Sequence, residues 1–230
     1  MNDFPSKINR PKDCNCVFKN IIEEDDFEQF SKNKNIVNFY KGETIFKQGA
    51  FNSHIGSIIS GYAKIYIEGV NGKQQVLYLS NNQDLIGHIS LFYDNSSIAS
   101  VSALTDTTVC LINHETIKYF LTKAPAMSSL IISNINKHNH IIFNRIISLT
   151  QKQMHGRVAD TLLYLSKLLN DSAEIDLPLT RKELAELSGM TTESFIRILT
   201  EYKNDGIVVL NGKKIEIKSF PLIAKLSQIG

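Results

Sequence analysis

Residues 179–206 read LTRKELAELSGMTTESFIRILTEYKNDG, and their spacing describes two short helices joined by a tight turn. Thr180 with Glu183 three residues later forms a T-x-x-E capping box, a signature of a helix N-terminus. Leu184, Ala185 and Leu187 give that helix an apolar face, and Gly189 ends it. Thr191 or Thr192 caps the second helix, whose buried positions are expected at Phe195, Ile198 and Leu199. Ala185, Gly189, Phe195 and Ile198 hold the spacing of a DNA-binding helix-turn-helix. There a small residue lets the helices approach, a glycine turns the chain and two apolar groups lock the crossing.

The polar face of the second helix carries the chemistry. Thr192, Glu193, Ser194, Ile196 and Arg197 are expected to point outward near its N-terminus, the end that enters a major groove. A carboxylate there accepts from cytosine N4, and a guanidinium grips guanine O6 and N7. Glu193 and Arg197 stand four apart, so each is expected to hold the other's rotamer. Taken alone, such a pair is more often a solvated surface salt bridge; the helix-turn-helix spacing around it reverses that and favours base readout.

At these residues the chain resembles the bacterial regulators typified by the cyclic-AMP receptor protein and the fumarate-nitrate reduction regulator, the Crp/Fnr family. TESFIR at 192–197 follows that family's recognition-helix pattern, in which Glu and Arg four apart read the operator. The resemblance continues through GIVVLNGKKIEI at 206–217, the family's β-hairpin wing, where Asn211 and Gly212 are expected to supply a two-residue turn. It extends back over nearly the whole chain. It implies an α+β protein: an N-terminal antiparallel β jelly-roll, a long dimerisation helix and a C-terminal winged helix-turn-helix.

Composition is consistent with this and adds little. The 230 residues suit one large or two small domains, and 43% apolar with 21% charged residues is ordinary for a globular protein. No apolar run approaches the roughly 18–20 residues that span a bilayer, and residues 1–16 have no apolar signal-peptide core. A cytoplasmic protein without membrane contact is expected. The net charge of +2 does not argue for DNA, and residues 151–230 carry 11 Lys/Arg against 10 Asp/Glu. Phosphate binding must therefore come from local clusters such as Arg181-Lys182 and Lys213-Lys214.

Along the chain, 1–16 form an arm and VFKNIIEEDDFEQF at 17–30 predicts a short amphipathic helix. From Asn35 glycines punctuate short apolar runs, and 62–67 and 75–79 alternate between faces, as the strands of a barrel or sandwich do. GETIFKQG at 42–49, Ser60-Gly61 and DLIG at 84–87 match the turn glycines of the family's jelly-roll effector domain. Residues 126–149 predict one long helix. Ile131, Ile135, His138, Ile142, Arg145 and Leu149 recur on it at steps of four and three, a heptad seam. A second stripe includes Leu130, Ile141 and Ile146. Such a helix suits a core, and the resemblance assigns its seam to dimerisation. The expected divisions are an arm at 1–16, a sensor at 17–124, a dimer helix at 125–150 and a DNA-binding domain at 151–230.

Cyclic-AMP members of the family carry a Gly-Glu pair for the ribose and an Arg-Ser pair for the phosphate. Here the matching stretch, 87–99, reads GHISLFYDNSSIA. His88 replaces the glutamate and no Arg or Lys is present. Burying a phosphodiester without a cation is costly, so an effector pocket around Gly87, His88 and Ser97 is not expected to hold cyclic AMP. Cys110 stands where oxygen-sensing members place one iron–sulfur ligand, and Cys14 and Cys16 lie in the arm, where those members keep the rest. The family spreads three cysteines across its arm, and here there are two at C-x-C spacing. Such a cluster, sensing oxygen or nitric oxide, redox-active thiols without metal, and plain buried or reduced cysteines all remain open.

His54, His88, His114, His138, His140 and His155 are scattered. His138 and His140 face different directions on a helix, and a lone His88 suits haem less well than a structural role. No Walker lysine, H-E-x-x-H or G-x-S-x-G occurs, so no enzyme is expected. The resemblance implies a homodimer on an inverted-repeat operator, with RNA polymerase as a further partner. Glu193, Arg197 and Thr192 are the expected base readers, and Thr180, Arg181, Thr191, Ser194, Lys213 and Lys214 lie against the backbone. Ile196 stands where oxygen-sensing relatives carry a small polar residue, and suits a thymine methyl. A ligand-binding module with a vestigial DNA domain, and constitutive DNA binding with an empty barrel, are the rival readings.

Overall fold

The computed structural model describes residues 16–19 and 21–230, so Cys14 lies outside the described residues. Packing divides the chain into two units. One takes in the chain up to Val70 with Tyr78–Asn139; the other combines Asn71–Leu77 with His140–Gly230.

The first unit is built on β-strands whose alternation places apolar residues inward. In chain order they are β1 (Lys34–Phe39), β2 (Thr44–Phe46), β3 (His54–Ser60), β4 (Ala63–Glu68), β5 (Gln74–Ser80), β6 (Leu85–Ile86), β7 (Ser100–Ala103) and β8 (Thr107–Asn113). They form two four-stranded sheets, ordered β1-β8-β3-β6 and β2-β7-β4-β5. Neighbours distant in sequence, such as β1 beside β8 and β2 beside β7, are what a Greek-key jelly roll requires. Cys110 sits mid-strand opposite Ile36 on one side and Ser57 on the other.

Helices close one side of this unit. α1 (Glu24–Lys32) and α2 (His114–Lys123) bring Phe30 and Phe120 edge-to-face, with ring centroids 5.6 Å apart. The helix predicted over 17–30 begins later than expected. The chain around Phe18 and Ile22 is a series of turns, yet both side chains are buried in the same core as Ile55, Ile112 and Ile117. The period of that segment reflects burial of two anchors and not a helical face. After α2 comes α3 (Pro125–Gln151), a helix of 27 residues whose first residue is the proline that a helix N-terminus tolerates.

The second unit packs α4 (Met154–Leu168), α5 (Arg181–Ser188), α6 (Thr192–Asn204) and α7 (Phe220–Ile229) around Leu162, Leu165, Leu187, Phe195 and Ile198. A three-stranded sheet flanks them, ordered β10 (Val208–Asn211), β11 (Lys214–Ile217), β9 (Glu174–Ile175). The polar stretch at 170–177, before Pro178, thus contributes a strand, and α7 was not expected from the sequence. The hairpin turn also differs from expectation. Asn211 pairs with Lys214, so the two turn residues are Gly212 and Lys213. Gly212 takes φ +60°, while Asn211 remains in its strand, a pattern that needs positive φ only at the first turn position.

The heptad seam expected on α3 proves to be an inward face. Ile131 and His138 are buried within the first unit, and Ile135 packs against its core. Ile142, Arg145 and Leu149 are half-buried, and the Arg145 guanidinium lies 5.8 Å from the Tyr164 ring centroid in the second unit. The solvent-facing stripe of the same helix carries Ile132, Phe143, Ile146 and Ile147, with Phe143 63% exposed. The sequence pattern has two apolar stripes, and the heptad one is turned inward within the chain at Ile131 and His138. Among the described residues no helix is long and apolar enough to cross a membrane.

Candidate nucleic-acid interface and sensor pocket

The interface starts at the caps. Thr180 Oγ1 accepts from the Glu183 N–H at 3.1 Å, and Glu183 Oε2 accepts from the Thr180 N–H at 2.9 Å, a complete capping box. Gly189 ends α5 in the left-handed conformation, and Thr191 Oγ1 accepts from the Ser194 N–H at 3.2 Å to start α6. With both ends fixed, Phe195, Ile198, Leu199 and Tyr202 face inward. Glu193, Ile196, Arg197 and Thr200 are left exposed at i, i+3, i+4 and i+7, one stripe of the helix. Thr192 and Ser194 are half-buried beside it.

Glu193 and Arg197 share this face but do not pair: among the ion pairs of the described residues none joins them. Hydrogen bonds from its own backbone N–H and from Thr191 hold the Glu193 carboxyl below the usual carboxylate range. The acid is thus engaged at the helix N-terminus, where a negative charge is favoured, and the guanidinium is exposed to a ligand. The i, i+4 spacing alone did not reveal that competition.

The basic clusters are more differentiated than their sequence suggests. Arg181 is half-buried; its Nη2 donates to the Gly212 carbonyl at 3.0 Å, tying the start of α5 to the wing turn. Its Nη1 is buried without a partner among the described residues, and burial lowers the guanidinium from its ordinary value. Lys214 Nζ lies 2.7 Å from Glu174 and 2.9 Å from Asp176. Those carboxylates belong to the segment before Pro178 that supplies β9. Lys213, at the exposed tip of the turn, is in no such pair among the described residues.

In the first unit the residues expected around an effector do come together. Gly87 takes φ +73°, and a Cβ there would meet Phe46 at 2.7 Å and Asn52 at 2.9 Å. This close approach lets the next residues form a 3-10 turn, His88–Phe92. Asn52 Nδ2 donates to Ser90 Oγ at 2.8 Å, Ser90 Oγ to the Gly87 carbonyl at 2.7 Å, and Ser97 Oγ to the Ala99 carbonyl at 2.8 Å. A cavity of about 30 Å3 lies here, bounded by Gly87, His88, Ser97, Ile65, Tyr78 and Val101 among others. None of the residues lining it is Lys, Arg, Asp or Glu. Burial pushes His88 down to about 4, so its imidazole is neutral near pH 7 and does not replace an arginine. The lining does not fit the phosphate of a cyclic nucleotide.

Cys16 and Cys110 are buried in one core, and neither is in a disulfide. Val17, next to Cys16, donates its N–H to Ser57 Oγ at 3.3 Å, and Ser57 is the strand partner of Cys110. The two thiols therefore belong to one neighbourhood, as the family resemblance implies. Among the described residues, however, no group of three His, Cys, Asp or Glu is placed to hold a metal. The described donors do not complete the four-ligand shell of a cluster.

Comparison with known proteins matches both units. Residues 36–124 fit the cyclic nucleotide-binding domain family, and residues 156–226 the Crp-like helix-turn-helix domain family. The chain is 23% identical over 208 residues to the CRP-like cAMP-activated global transcriptional regulator of Mycobacterium tuberculosis, covering 89% of this chain and 93% of that one. It is 22% identical over 228 residues to the transcriptional activator protein FnrL of Cereibacter sphaeroides, covering 93% and 90%. The solved structure of FixK2 from Bradyrhizobium japonicum superposes with a TM-score of 0.76 at 19% identity, covering 84% and 96%. The structural likeness carries the fold; the two relatives are both named for transcription regulation.

Proposed function

From the premise that this chain belongs to the Crp/Fnr family of transcription regulators, we propose that it acts as a cytoplasmic homodimer that reads an inverted-repeat operator. The exposed face of α6 carries this reading. Arg197 grips a guanine, Glu193 accepts from a cytosine once its capping bonds are shared, and Ile196 meets a thymine methyl. Thr192 and Ser194 support this face from its edge. Thr180, Thr191 and Lys213 lie against phosphates, while Arg181 positions the wing and Lys214 stays with its two carboxylates.

Dimerisation is assigned to the exposed stripe Ile132, Phe143, Ile146 and Ile147 of α3, because an apolar row of this length on a helix needs a partner. A two-fold axis beside that helix presents two copies of α6 to grooves about one helical turn apart. RNA polymerase is the partner through which binding alters transcription. The first unit acts as the sensor, with control by population shift. Its pocket is not one for cyclic nucleotides.

Selection from a random duplex library tests this. The expected outcome is enrichment of an inverted repeat whose half-sites lose a defined base preference in Arg197→Ala. A protein that enriches no sequence would instead be a ligand-binding module with a vestigial DNA domain.

A further inference from the structure

His88 and His138 are each only 2% exposed, and their rings stack with centroids 5.4 Å apart. Tyr78 stacks on His138 at 4.5 Å, with the planes 20° apart. His88 Nδ1 and both ring nitrogens of His138 have no hydrogen-bond partner among the described residues. An orphaned buried polar atom costs about 1–3 kcal/mol, so three of them in one stack call for a ligand or ordered water. His88 also lines the cavity, whose volume of about 30 Å3 is room for about two waters or a ligand group of that size. Its rim includes Ile89 and Ile98, 37% and 48% exposed, which offer apolar surface beyond the buried part.

We propose that this cavity binds an uncharged small molecule with a compact hydrogen-bonding head and an apolar body, its head on His88, and that the His88–His138 stack carries occupancy to α3. The proposal deepens the sensor reading and rests on it. The backbone of Leu85 already engages the His88 ring, so the unpartnered Nδ1 of the neutral imidazole offers a lone pair, the complement of an amide N–H, a hydroxyl or a neutral azole N–H. The charged groups facing the stack are Asp84, from the turn before β6, and Lys137, beside His138 on α3. They pair with each other at 2.5 Å, so no lysine there is left to compensate an anion. A head group that donates to Nδ1, with the Leu85 backbone on the other side of the ring, fixes the orientation of His88. His138 follows because it is stacked on that ring and has no nitrogen bonded elsewhere.

Benzamide and benzoate, nearly identical in shape and different in charge, test this on the full-length protein labelled with 15N-histidine. The ring resonances are assigned with His88→Gln and His138→Gln. Benzamide is expected to shift His88 and His138 together and saturably, and benzoate to shift neither. His88→Phe, which keeps a ring in the stack, should weaken benzamide binding about tenfold. Equal binding of benzoate overturns the uncharged ligand class, and no saturable response to benzamide overturns ligand binding and leaves a water-filled cavity. A shift of His88 without His138 overturns the relay. Operator selection is read separately: its failure removes the regulator reading without touching the titration, and a failed titration leaves operator recognition standing.

Discussion

Arg181, at the first turn of α5, donates through Nη2 to the carbonyl of Gly212 at the tip of the wing, 31 residues away in sequence but 3.0 Å away in space. A guanidinium in a basic pair at a helix start reads from sequence as a phosphate contact. Here it is a strut. Hydrogen bonds to charged groups contribute about 1.5–3 kcal/mol, and this one is solvent-exposed although Arg181 itself is half-buried, so Arg181→Ala should destabilise the second unit by no more than about 1 kcal/mol. Denaturant unfolding checks this. DNA affinity should fall uniformly across sequences, because a wandering wing loses phosphate contacts and no base contact.

The two wing lysines should separate cleanly. Lys214 is held between Glu174 and Asp176, whereas Lys213 stands at the exposed turn. Each phosphate neutralised contributes about 0.9 to the slope of log affinity against log salt. Lys213→Ala should lower that slope by about one, and Lys214→Ala should leave it nearly unchanged. Glu174→Gln with Asp176→Asn should steepen it by releasing Lys214. The comparison is made by fluorescence anisotropy across a salt series.

Arg197→Ala should cost roughly 1–3 kcal/mol of specific binding and relax preference at one base pair per half-site. Glu193→Gln should cost less in affinity and alter the neighbouring base, since the acid is already engaged with its own N–H and Thr191. A uniform loss across all sequences in Arg197→Ala would contradict its role as a base reader.

The buried imidazoles set an acid limit on the first unit. Burial lowers both His88 and His138 from the usual 6.5 to about 4. The unfolded chain therefore binds more protons than the folded one between those values, and stability falls as pH drops from 6.5 towards 4. The slope reaches up to about 1.4 kcal/mol per pH unit for each imidazole that titrates. His138→Phe keeps the stack on Tyr78 and should flatten part of that decline in urea melts taken at successive pH values.

Much of this architecture was legible because its signals are local. The Thr180–Glu183 box, the glycine at 189 and the apolar spacing of Phe195 and Ile198 each act within a turn or two of helix, and the structure repeats them. The same holds for the absence of a cation between Gly87 and Ala99. What escaped depended on distant partners. The sequence does not say that Glu174 and Asp176 come beside Lys214, or that Thr191 competes with Arg197 for Glu193. On α3, two apolar stripes satisfy a helical period equally well, and only the packing of Ile131 and His138 into the first unit decides which remains outside. His138 read as an imperfect seam residue; its importance appears once His88 stacks on it.

In the proposed dimer, two copies of α6 read two half-sites on one face of DNA. The direct measurement is affinity for the selected operator against the same operator with about five base pairs inserted at its centre, half a helical turn. The insertion keeps both half-sites intact but turns them to opposite faces. Binding is expected to fall to the level of unrelated DNA. Unchanged affinity would mean that each copy binds alone, and would contradict the paired recognition helices.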